Sequence, residues 1–278
     1  MVFFSGILGM VALSSAYLAA PAAGASKPIP WSGRGKGLTV ETIETEYLTH
    51  ILTMRNNSKN NNVSRYVSIE QEARSPSYNG DTGVINIGVD ANAIFKEQFN
   101  FRRSELVQFV DSNANGPTFF RGSLKKKEAF HNEYVWQCFF TETHIFEIRV
   151  DATASAPKII YINNNTWDAK WEADFELDTW YNFGFEINKA ATGSGSVIAF
   201  YTSTGADELK LEATHTVVSE FLSVNELHIG LLTLSDDGSQ PVMADKQDVI
   251  SFSGVSVEAK VGVSATVTAS TAESVANK

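Results

Sequence analysis

The segment FNFRRSELVQFV, residues 99–110, places Arg102, Arg103 and Glu105 inside a run that otherwise alternates like a β-strand. Unpaired charges are seldom fully buried, so either one face of that strand lies in a wet groove or the charges pair with each other. Alternation puts Phe99, Phe101, Arg103, Glu105, Val107 and Phe109 on one face, and Arg102, Ser104, Leu106 and Gln108 on the other. In EYVWQCFFTETH, residues 133–144, the same rule puts Tyr134, Trp136, Cys138, Phe140, Glu142 and His144 on one side. Aromatic rings followed by a carboxylate and an imidazole suit a sugar, whose apolar ring faces stack while its hydroxyls need polar partners. A plain core strand from Tyr134 to Phe140, with Glu142 and His144 opening a solvated turn, fits those residues as well. In NELHIGLL, residues 225–232, Glu226 and His228 share a side. A single His on an apolar strand is more often a hydrogen-bonded structural residue than a catalyst.

Other chemistries find little support. The chain has no G-x-S-x-G, P-loop, H-E-x-x-H or EF-hand pattern. Its five histidines, at 50, 131, 144, 215 and 228, show no ligand spacing, so no catalytic metal and no cofactor is expected. Cys138 sits among aromatics and makes a poor thiol nucleophile. Hydrolysis by a pair of carboxylates remains.

The elements that must hold these residues are strands. From Leu38 onward, short runs of period-two alternation are separated by Asn, Gly, Asp and Ser clusters. Strands are expected at 63–70, 83–91, 99–110, 118–126, 133–142, 145–152, 158–163, 180–188, 195–203, 209–218, 225–235 and 248–259. That pattern predicts an all-β, two-sheet antiparallel sandwich, a β-jelly roll. Trp167, Trp171, Trp180 and Tyr181 lie close in sequence, and core packing accounts for most of that.

The chain has 278 residues, 43% hydrophobic and 19% charged, ample for one large β domain. Its net charge of −10 argues against nucleic acid, an anionic membrane or a polyanion as partner. Residues 1–25 read as a secretory signal peptide ending at an A-x-A pattern, residues 26–262 as the catalytic domain, and 263–278 as a disordered Ser/Thr/Ala-rich tail. The single cysteine rules out an intrachain disulfide and would suit the cytosol equally. Sequons at Asn56, Asn62 and Asn164 are compatible with a secreted glycoprotein.

FRRSEL at 101–106, HNEYVWQCFFTE, WYNFGFEIN, IAFYTSTG, ELHIGLLTLS and the early IPWSGR at 29–34 together resemble glycoside hydrolase family 131. The motifs run in the same order from about Trp31 to Val257. The resemblance implies a secreted, mostly fungal type of β-glucanase with a jelly-roll fold. It implies cleavage of β-1,3, β-1,4 or β-1,6 linked glucans with inversion. Separately, the chain is expected to act as a monomer with no membrane attachment once the leader is removed. The family's first essential glutamate maps onto Glu105. The second maps onto Glu142, with Glu133 as a fallback because HNEY departs from the family's form. The histidine of its F-H-x-G-like strand maps onto His228, and Arg103 could orient Glu105 or hold it ionised. Trp136, His144 and His228 join Arg103 as substrate-binding candidates. A guanidinium beside Glu105 and an aromatic wall beside Glu142 would make the first the base and the second the acid.

Two other readings stay open. R-x-E-L on a groove strand also occurs in alginate and glucuronan lyases, for which Arg102, Gln108, His144 and Tyr181 would have to converge. A non-catalytic glycan-binding sandwich is the other, since fold alone implies no chemistry.

Overall fold

A computed structural model describes residues 26–55, 62–234 and 238–260. The expected signal peptide, the tail and the Asn56 sequon lie outside the described residues. Of the other sequons, Asn62 accepts a hydrogen bond from the Ser64 amide and Asn164 accepts from Ser219.

Fourteen strands and one short helix carry the described fold: β1 (Trp31–Ser32), α1 (His50–Thr53), β2 (Val67–Glu70), β3 (Val84–Val89), β4 (Phe101–Asp111), β5 (Thr118–Lys125), β6 (Val135–Thr141) and β7 (Phe146–Asp151) come first. They are followed by β8 (Lys158–Asn163), β9 (Trp171–Asp174), β10 (Tyr181–Lys189), β11 (Ser196–Thr204), β12 (Lys210–Val217), β13 (Val224–Leu234) and β14 (Asp248–Glu258). All twelve expected strands form. The additions are β1 and β9, and residues 63–65 make a 3-10 turn ahead of β2.

Two antiparallel sheets face each other as a jelly roll. One runs β12-β11-β10-β5-β14-β3-β2, with β1 beside β14; the other runs β4-β13-β6-β7-β8-β9. Between them lies an aromatic core in which Phe146 stacks on Phe185 and Tyr161 on Phe200. The core side of the six-stranded sheet is built from Leu106, Val110, Leu227, Ile229, Trp136, Phe139, Ile148, Val150 and Tyr161. Its alternate residues must therefore face outward, and these include Arg103, Glu105, His228, Glu147 and Arg149.

The outer face is walled on the β4 side. Leu48 bridges to Val107 along the free edge of β4, and Ile51, Phe95 and Val107 form a separate apolar cluster there. That small cluster fixes one flank of the polar residues beside it.

β6 does not keep one alternation. Its pairing to β7 slips between Gln137 and Phe139, leaving Cys138 as an extra residue. A one-residue bulge swaps the faces of everything beyond it. Trp136, Cys138 and Phe139 consequently all lie in the core, while Phe140 turns outward against His228.

Candidate active site

Three segments far apart in the chain meet on the outer face. Glu105 of β4 lies opposite Gly230 of β13, and Val107 lies opposite His228, which is in turn opposite Phe140 of β6. Arg103 grips Glu105 through two parallel bonds, Nε to Oε1 at 2.5 Å and Nη2 to Oε2 at 2.7 Å. This bidentate geometry is the strong form of a guanidinium–carboxylate pair. His228 Nδ1 donates to Glu105 Oε2 at 2.6 Å, and its ring lies flat on Phe140, centroids 4.7 Å apart. On its far side, Nε2 stands 3.4 Å from Glu226 and 3.5 Å from Glu142, in hydrogen-bond alignment with neither.

Gly230 makes the Glu105 position possible. Its φ is +155°, and a β-carbon there would come 2.1 Å from the Ser104 carbonyl and 2.8 Å from Glu105 Cα. Any side chain would push the two strands apart where Glu105 is held.

The electrostatics follow from burial and pairing. Burial alone would raise the Glu105 carboxyl, but Arg103 and His228 overcome it and hold its pKa at about 2. Burial would likewise discharge His228, yet its contacts with Glu105 and Glu226 raise its pKa to about 9. The imidazole is therefore a cation at neutral pH. Burial opposes ionisation of Glu226 as well, and His228 beside it brings its pKa below the usual carboxylate value. His50, edge-on to Phe95 near these charges, is pushed down by its own burial.

Access differs sharply among the carboxylates. The Glu105 side chain is 0% exposed, Glu226 25% and Glu142 62%. Glu142 follows the end of β6, where its amide is bonded to the Glu226 carbonyl. Both oxygens of Glu105 accept from Arg103 or His228, and the carboxylate is sealed from solvent beneath them.

Arg103, Glu105, Glu142 and His228 are thus brought together. His144 is on the same face one step away, its ring also stacked on Phe140, centroids 5.6 Å apart, and donating from Nδ1 to Glu147 at 3.0 Å. Trp136 is not a sugar platform: it is fully buried between the sheets, and its indole N–H donates to the Asn132 carbonyl. Glu133 precedes β6 at the end opposite Glu142. Arg102 and Gln108 face away from Glu105 and are engaged by the carbonyls of Ala91 and Glu46. Tyr181 belongs to the other sheet, bonded to the Asp174 carbonyl. The residues a lyase would need do not converge.

Sequence reasoning undervalued Glu226 and missed Glu147, Arg149 and His50. The available signal was spacing: E-x-R at 147–149 mirrors the R-x-E of 103–105.

Comparison with known proteins agrees with this architecture. Residues 29–262 match the model of the glycoside hydrolase 131 catalytic N-terminal domain. A GH131 β-glucanase catalytic domain from Podospora anserina superposes with a TM-score of 0.66 at 24% identity, covering 84% of this chain and 96% of that one. The catalytic domain of the glycoside hydrolase family 131 protein from Coprinopsis cinerea gives 0.63 at 21% identity, covering 84% and 94%. A search of curated proteins found no match. Fold and family match together define a jelly-roll glycoside hydrolase acting on a glycan. The chain belongs to glycoside hydrolase family 131.

Proposed function

We propose that this chain hydrolyses β-linked glucans at the Glu105–His228–Glu142 cluster. The observation that carries the reading is the one imidazolium held between a sealed carboxylate and two accessible ones. Cleavage needs a proton for the departing glycosidic oxygen and a base for the incoming water. Glu142, largely in the open, is placed to give the first. Glu226, ionised and partly exposed, is placed to take the second. Glu105 acts through His228, fixing its orientation and its charge. Inversion at the anomeric carbon is carried over from the motif resemblance, so the first product from a β-glucan is the α-anomer.

Linkage range, secretion and monomeric action belong to the same proposal. The leader pattern supports secretion, and the net charge of −10 suits a neutral chain better than a polyuronate. Incubating the purified protein with laminarin, cellulose oligomers and a polyuronate tests the reading. Reducing sugar from a glucan, with the α-anomer first in the proton spectrum, is expected. An unsaturated uronate, absorbing in the ultraviolet, or no product from any of the three overturns it.

A further inference from the structure

Beyond Phe140 lies a second charged unit for which the chemistry above has no use. Glu147 and Arg149 of β7 alternate onto the outer face, opposite Phe140 and Gln137 of β6. Arg149 Nε donates to Glu147 Oε1 and Nη2 to Oε2, the latter at 3.2 Å, while His144 holds Oε2 from the other side. Glu147 is 1% and Arg149 8% exposed, so this ion pair is sunk into the surface. Above it stands the loop after β8, where the ring of Trp167 lies 4.1 Å from the Arg149 guanidinium carbon. Trp167 remains 72% exposed.

An indole left this open is unusual for the largest apolar side chain. Here a buried guanidinium sits against one ring face, an attractive arrangement that limits how the ring can turn. The other face is presented to solvent. A flat apolar surface bordered by a carboxylate, a guanidinium and an imidazole matches a pyranose, which offers C–H groups to a ring and hydroxyls to polar neighbours. Arg149 is two strand spacings from His228, roughly 10 Å, and two residues along β7 from Glu147, about 7 Å. That puts the indole beyond the sugar being cleaved but on the same sheet face, with Phe140 and His144 filling the interval.

We propose that Trp167, seated on the Arg149–Glu147–His144 unit, is a distal subsite that stacks a pyranose of a glucan chain extending from the cleavage point. This rests on the proposed glucan hydrolysis and assigns the second unit its ligand. Arg149, Glu147 and His144 serve as the support and Trp167 as the contact.

The experiment compares oligomer series from laminarin and cellulose on the wild type, Trp167→Ala and Trp167→Phe. The preference for long over short oligomers, as a ratio of kcat/KM values, is expected to fall about three- to tenfold in Trp167→Ala and to recover largely in Trp167→Phe. Binding is measured in parallel in the Glu142→Gln background, where long oligomers should lose affinity by a similar factor on adding Trp167→Ala. Cleavage and binding indifferent to Trp167→Ala, or weakened equally for the shortest and longest oligomers, overturn the subsite alone. No glucan cleavage and no glucan binding by the wild type overturn both this subsite and the proposed function.

Discussion

Two His–Glu–Arg units flank Phe140 on one sheet face, and they differ in what lies beyond the histidine. In the first, Arg103 and His228 share Glu105; in the second, Arg149 and His144 share Glu147. Each pairs an arginine and a glutamate two residues apart on one strand, and each histidine lies against a face of the same phenylalanine. The far nitrogen of His228, however, meets two further carboxylates, whereas the second unit ends in an exposed indole over its arginine. The same buried ion pair therefore serves in one place to charge an imidazole and in the other to carry a flat ring.

The comparison breaks most visibly at the two sealed glutamates. Glu105→Gln is expected to lower kcat by about 10²–10⁴-fold and to destabilise the fold by about 3–5 kcal/mol, because two buried cations lose their counterion. Glu142→Gln should cause a comparable loss of kcat with little change in Tm, since that side chain stands largely in solvent. Steady-state kinetics with thermal unfolding of both variants separates the two effects. If Glu105→Gln unfolds at the wild-type temperature, the account of it as a structural anchor for charge is wrong.

Glu147→Gln sharpens the contrast. It strands Arg149 and should also cost about 3–5 kcal/mol in stability, yet its effect on kcat for short oligomers should be far smaller than that of Glu105→Gln. Equal losses of kcat would show that the second unit shares the chemistry.

A smaller and graded effect comes from pH. His228 is raised in the folded state from its usual 6.5 to about 9, so the stability it contributes is complete below 6.5 and lost as pH climbs to about 9. Glu105 is lowered from 4.5 to about 2, so its contribution is complete above 4.5 and lost as pH falls towards 2. Both describe one ion pair and count once. Urea unfolding across the alkaline range should show stability declining between 6.5 and 9 in the wild type, with a much flatter response in His228→Gln.

Much of this was legible in the chain because strands alternate. Charges in the middle of β4 marked Arg103 and Glu105 without any structure, since an otherwise apolar strand holds charges only where they face a groove or pair with each other, and here they pair. β9 was missed because it is four residues long and half of them, Glu172 and Asp174, are exposed acids. Trp136 was misplaced for a different reason: strict alternation fails beyond the bulge at Cys138, and nothing in VWQCFF marks where the extra residue falls. Alternation already set Glu226 beside His228, but that Glu142 joins them depended on the pairing of β6 with β13, which no local pattern encodes. Glu147 and Arg149 were visible as a mirrored spacing but gained meaning only once β7 was set two strands from β13.

The central claim is that Glu105 never touches the sugar and works by keeping His228 charged. Following the His228 ring protons by NMR from pH 5 to 10 tests this directly, in the wild type and in Glu105→Gln. The account predicts a midpoint near 9 in the wild type and a fall of at least one pH unit in the variant; a wild-type midpoint near 6.5, or one that Glu105→Gln leaves in place, would contradict it.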